Sequence, residues 1–351
     1  MPRLTYVTLD VFTTTPMVAG NPLAIVTIPA DVTLTKTQEH QIAREFGYSE
    51  TVFIYPLATP QDDLLSATVL KSKPDLTRIS IWTVLQELPF AGHPTVGTGW
   101  YLSSTGEERY TGEFKLLIPA GVLQISKPAG SSSGGRVTVD TPHKITLWER
   151  RIPTKRIGEI IGLPYTYFEN DEGKIFATRE VVRDGVPVIS IVDGVSYGLA
   201  EFASVTVLGA LNVGRKGVTL DMAADVGGTV PPGGRPFIGC YCYTVLGDRV
   251  MGGKGKVEVR TRMFFDGDQE DPATGSAACA LASYLAIVRG GVETGVDEWE
   301  FEVTQGVEMG RKSDIGVRIE LEKAVEGQAR TVKKVFLDGD AVKVMEGVLT
   351  V

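Results

Sequence analysis

The chain has 351 residues, 43% hydrophobic and 22% charged, the make-up of an ordinary folded protein with room for two domains. Its net charge of −8 argues against a nucleic-acid or anionic-membrane surface, since both favour basic patches. No run approaches about 18 uninterrupted apolar residues, three cysteines are too few for a disulfide scaffold, and MPRLTYVTLDVF lacks a signal peptide's apolar stretch; a cytoplasmic protein is expected.

In chain order, Thr5–Phe12 and Ala24–Ile28 read as strands. A helix follows: Thr35 and Gln38 form a capping-box pattern, Ile42 and Phe46 share a face, and Gly47 stops it. Glu50 stands just ahead of the strand Thr51–Tyr55, either solvent-facing at a strand end or placed for a role. Strand-like Arg78–Thr83 leads to His93 and PTVGTGWYLSS, small and uncharged but a poor helix by propensity because of its glycines and proline. Phe114–Ile118 is another strand. PAGSSSGGR at 128–136 is the best candidate linker, the alternative being a hairpin loop within one domain; 226–236 looks like a glycine-rich surface loop.

Further on, a short helix spans about Thr154 to Ile161 and ends at Gly162. Strands are expected at Val188–Val192, Gly239–Thr244, Val257–Phe264 and Val342–Met345. After Thr274, GSAACALASYLAIV is apolar or small all the way round, as in a helix buried on every side. The two uncharged helices hint at an internal repeat. Setting Thr95 against Thr274 aligns them, with Tyr101-Leu102 and Tyr284-Leu285 a few residues out of register; chance similarity of small residues is the alternative.

Each buried helix would point its free N–H groups at whatever lies between the domains, a backbone site for a carboxylate or phosphate. Around the two starts stand His93, Asp271, Thr274 and Ser276. Histidine titrates near neutrality, and a carboxylate in a partly dry site can have its pKa raised into a useful range for proton transfer. The bland alternative makes Asp271 a cap and His93 a satisfied polar residue at a turn.

Four ordered blocks narrow the choice. DVFTTTPMVAGNPLAIV, FGYSETVFI at 46–54, ELPFAGHPTVGTGW at 87–100 and EDPATGSAA at 270–278 resemble the PhzF-like family of phenazine biosynthesis. The stretches between are less telling, and insertions stand near 56–75 and 246–256. The resemblance implies the α+β diaminopimelate-epimerase-like fold: two pseudo-symmetric domains, each a strand barrel around a central buried helix, with the active site in the cleft between. Domains of 1–132 and 133–345 are expected, with 346–351 returning to the first. By the family's motifs, Glu50 corresponds to the proton-transfer acid/base, and His93, Asp271 and Ser276 to the residues that assist it and bind substrate. Gly92, Thr274 and Gly275 would contribute further contacts to substrate.

Such a set suits a cofactor-free isomerase moving a proton between carbons of a small carboxylate-bearing metabolite. No Walker loop and no complete Gly-x-Gly-x-x-Gly follows a strand; His40, His93 and His143 lack metal-ligand spacing, and Cys240-x-Cys242 reads as core. No cofactor and no metal are expected. Racemases of this fold use one cysteine at each helix mouth, but here only Cys279 lies near one, a turn inside the helix, so a two-thiol mechanism is excluded. Asp266 replaces a proline common in the family, and ISIWTVLQEL at 79–88 is irregular; both put the substrate in doubt more than the reaction. The competing reading is a small-molecule or protein-binding module without turnover. A homodimer is expected.

Overall fold

The computed structural model describes residues 2–56, 76–127, 135–163, 176, 184–212, 219–228, 237–265, 269–290, 295–325 and 329–351. Two compact units emerge, Met1–Pro142 with Phe336–Val351, and His143–Val335. Most of the glycine-rich 128–136 stretch, residues 229–236 of the second loop, most of the insertion at 56–75, and Asp266 lie outside the described residues.

The first unit begins β1 (Arg3–Val11), β2 (Asn21–Thr27), α1 (Lys36–Phe46), β3 (Glu50–Ile54), β4 (Leu76–Trp82) and β5 (Glu87–Leu88). It continues α2 (Gly92–Ser104), β6 (Glu113–Ile118), β7 (Gly121–Ser126) and β8 (Val137–Asp140). β1 and β2 are antiparallel, β2 and β3 parallel, β3 and β4 antiparallel. β4 then takes the short β5 antiparallel and, after α2, β6 parallel; β6, β7 and β8 follow in antiparallel pairs.

The second unit has β9 (Thr146–Leu147), α3 (Thr154–Ile160), β10 (Val188–Val192), β11 (Val195–Glu201), α4 (Val205–Gly209) and β12 (Phe237–Met251). After them come β13 (Lys254–Phe265), β14 (Gln269–Asp271), α5 (Gly275–Arg289), β15 (Glu298–Gln305) and β16 (Ser313–Leu321). The pairing order of the first unit recurs. β10–β11 is antiparallel, β11–β12 parallel and β12–β13 antiparallel; β13 takes the short β14 antiparallel and, after α5, β15 parallel, with β16 antiparallel beyond. Chain-end strands β17 (Val332–Gly339) and β18 (Ala341–Thr350) return to the first unit, β17 pairing with β8 and β18 running the length of β1. The return is therefore longer than 346–351, and only Asp340 separates the two strands.

The repeat is real, but its register differs from the one expected. Both helices begin on a glycine, Gly92 and Gly275. Counting from there, Leu88-Pro89-Phe90-Ala91-Gly92-His93 stands opposite Asp271-Pro272-Ala273-Thr274-Gly275-Ser276, and Tyr101-Leu102 falls on Tyr284-Leu285 without offset. Thr95 misled because His93-Pro94 looks like a break before a helix. Pro94 is instead in the first turn, where its missing N–H costs nothing.

α2 contradicts its propensity because the strands need its backbone close. A methyl on Gly97 would stand 2.6 Å from Leu23 Cδ2 and 2.7 Å from Val11 Cγ2. Residues 92–99 are wholly buried, against β1, β2, β3, β8 and β18. α5 is buried likewise against β10, β11, β15 and β16.

α1 carries the expected capping box at Thr35 and Gln38, and Gly47 closes it in the left-handed conformation. It docks through a charge that the apolar pattern did not reveal. Buried Glu39 accepts from Tyr55 Oη at 2.5 Å, Trp82 Nε1 at 2.8 Å and Ser80 Oγ at 3.2 Å. Burial and that carboxylate push the Tyr55 phenol up, so it remains a donor. No described helix is long and apolar enough to cross a membrane.

Candidate functional site

In the first unit, β3 opens on Glu50 and α2 places His93 as its second residue. Glu50 Oε2 lies 3.5 Å from His93 Nδ1, with the carboxylate side chain 16% exposed and the imidazole side chain 4%. Asn21, at the start of β2, puts its amide Nδ2 3.4 Å from the same Nδ1, and Ser49 Oγ donates to Asn21 Oδ1 at 3.3 Å. The local fold explains the meeting. β2 and β3 run parallel with Leu23 opposite Glu50, so Asn21 and Glu50 both sit at the end of the pair from which they start.

Burial drives the His93 pKa down to about 3, opposed in part by a hydrogen bond to the Pro22 carbonyl. His93 is neutral at physiological pH. It can hand over or accept a hydrogen bond without bringing a charge of its own.

In the second unit, β14 ends on Asp271 and α5 starts four residues later, after its N-cap Thr274. Thr274 makes no side-chain cap bond; its hydroxyl donates to Asp271 Oδ2 at 2.5 Å. α2 also begins without a side-chain cap, on Ala91. Ser276, the second residue of α5 and so the counterpart of His93, lies 2.7 Å from the Tyr197 hydroxyl of β11. Gly92 and Gly275 are buried at the first position of their helices, where a bare backbone lets another group approach closely.

The sequence-predicted residues therefore fall into two clusters: Glu50, His93 and Gly92 in one unit, and Asp271, Thr274, Gly275 and Ser276 in the other. Three neighbours were missed: Asn21, Tyr197 and Gln305. Gln305 left a signal, because β15 alternates Trp299, Phe301 and Val303 inward and then puts an amide on that apolar face. Cys240 and Cys242 are buried core, their sulfurs 3.7 Å apart, and burial raises the Cys242 thiol well above its usual range. Cys279 is buried in the second turn of α5.

These features define a sheet-dominated α/β protein of two like-built units, each with polar groups gathered at the start of a buried helix. The chain belongs to the phenazine biosynthesis-like protein family, whose profile matches residues 9–161 and 219–347. It is 30% identical over 351 residues to an uncharacterized isomerase of Mesorhizobium japonicum, covering 98% of each chain. It is 27% identical over 348 residues, again 98% of each, to the trans-2,3-dihydro-3-hydroxyanthranilate isomerase of Pseudomonas chlororaphis. A phenazine biosynthesis protein of the PhzF family from Bacillus anthracis shares the fold over 100% of both chains, with a TM-score of 0.68 at 21% identity.

Proposed function

We propose that this protein is an isomerase moving a proton between two carbons of a small carboxylate-bearing metabolite. The observation that carries the reading is Glu50 beside a histidine kept neutral by burial. A carboxylate can lift a proton from one carbon and return it to another. The step is redox-neutral: the C–H electron pair stays with the substrate, and the proton travels on Glu50.

The remaining residues take supporting roles. His93, without a charge of its own and with its one ring proton directed at the Pro22 carbonyl, orients the substrate by accepting a hydrogen bond at its other ring nitrogen. Ser276 and the first N–H groups of α5 hold the carboxylate, Thr274 orients Asp271, and Asp271 accepts from a substrate hydroxyl or amino group. Gly92 keeps the first turn of α2 open to substrate. We further read each unit as a barrel of strands around its helix, a reading supported by the repeated pairing order and the burial of α2 and α5.

The full-length relatives named isomerases make trans-2,3-dihydro-3-hydroxyanthranilate the first compound to test. Incubation in D2O should place deuterium on a substrate carbon, and Glu50→Gln should not. No exchange with this compound or with a panel of other small carboxylates would leave a protein that binds without turnover.

A further inference from the structure

Gln305 ends β15 fully buried, and its amide is engaged on every side. Nε2 donates to the Asp271 carbonyl at 2.7 Å and to Thr274 Oγ1 at 3.1 Å. Oε1 accepts from the Thr274 backbone N–H at 3.2 Å and from the Tyr241 hydroxyl at 2.9 Å. Two of these partners are backbone groups of fixed polarity, one carbonyl and one N–H. They admit only one orientation of the amide.

The rest follows by elimination. Thr274 Oγ1 accepts a hydrogen bond from Gln305 Nε2, so its own single proton goes to Asp271 Oδ2, 2.5 Å away. The Tyr241 hydroxyl, which also lies 3.0 Å from Thr261 Oγ1, can meet Oε1 only as a donor, and its phenol, pushed up by burial, keeps its proton. The side-chain hydrogen bonds from Tyr241 through Gln305 and Thr274 run toward Asp271. The backbone closes on the same spot: Gly306 has φ +74°, and a Cβ there would stand 2.5 Å from the Pro272 carbonyl oxygen. Among the described residues, the first unit has no such device. Leu88 stands in the place of Asp271, and β6, in the place of β15, ends Leu116, Leu117, Ile118.

We propose that Gln305 is a positioning residue that fixes the turn 271–274 and aims the Thr274 hydroxyl at Asp271 Oδ2. Its consequence for turnover rests on Asp271 serving the substrate as proposed above. The carboxylate then meets the substrate with one oxygen already committed and in one place.

The test has an arm that needs no substrate. In the full chain, exchange of the Thr274 hydroxyl proton is followed by NMR, its resonance assigned by its loss in Thr274→Val. Gln305→Met removes all four bonds at nearly constant volume and should speed that exchange about tenfold or more. Should Gln305→Met not fold, Gln305→Glu keeps the volume and the acceptor side and is read the same way. In the second arm, deuterium incorporation should show Gln305→Met lowering kcat far more than it changes KM. Combined with Thr274→Val it should cost little beyond the worse single variant, because the two act in series. Unchanged hydroxyl exchange, or effects that multiply, would overturn the proposal. Absence of turnover in the unaltered protein would instead remove the isomerase reading, and the exchange arm would still decide on Gln305.

Discussion

Glu50 Oε2 and His93 Nδ1 lie 3.5 Å apart, one at the first residue of β3 and the other at the second residue of α2. Burial holds the imidazole neutral at physiological pH. Glu50→Gln keeps the shape and most hydrogen bonding but cannot carry a proton. We expect it to lower kcat about 10²–10⁴-fold, with KM and the thermal unfolding midpoint nearly unchanged. Deuterium incorporation beside a thermal melt checks both halves; retained exchange would remove Glu50 as the proton carrier.

His93 should leave a mark on stability. Its folded pKa of about 3 lies below the ordinary 6.5, so between these values the unfolded chain holds a proton that the folded chain does not. Stability must then fall as pH drops from about 6.5 toward 3, by up to about 1.4 kcal/mol per pH unit from this one group. Urea midpoints at several pH values should show a shallower decline for His93→Gln. Parallel curves for the two proteins would mean that His93 is not held neutral.

Ser276 and Tyr197 share a 2.7 Å contact, and their substitutions should act differently. Ser276→Ala should raise KM by no more than about tenfold, because the backbone N–H groups at the start of α5 remain to hold an anion. Tyr197→Phe leaves the buried Ser276 hydroxyl without that partner and should cost about 1–3 kcal/mol in urea unfolding. Were Ser276→Ala to abolish binding altogether, the helix start would not be the carboxylate site.

Legibility in the sequence followed the range of the contacts involved. Glu50, His93, Asp271 and Ser276 could be singled out because each stands at the boundary of a strand or helix, where short patterns are informative. Asn21, Tyr197 and Gln305 reach the same clusters from other strands, and of these only Gln305 left a local sign, an amide on the apolar face of β15. β10 and the capped α1 came out as expected, whereas β11 and β16 were missed; the former includes Gly198, whose methyl would stand 3.2 Å from Ile152 Cδ1. The repeat was visible as two uncharged helices but set in the wrong register. Its surest sign, the identical order of parallel and antiparallel pairs, resides in strand partners rather than in residue types.

Gly97 brings propensity and packing into direct opposition. In an exposed helix, glycine to alanine is worth about 1 kcal/mol in favour of alanine. Here the added methyl would lie 2.6 Å from Leu23 Cδ2 and 2.7 Å from Val11 Cγ2, well inside contact distance. Both neighbours are fully buried and have no room to give way. The overlap should outweigh the propensity gain, so Gly97→Ala is expected to destabilise by about 1–3 kcal/mol. Urea denaturation measures it, and a paired variant, Gly97→Ala with Leu23→Val, should recover part of the loss because it shortens one of the two clashing side chains. A Gly97→Ala protein more stable than the parent would show that the strands do not need the bare backbone of α2.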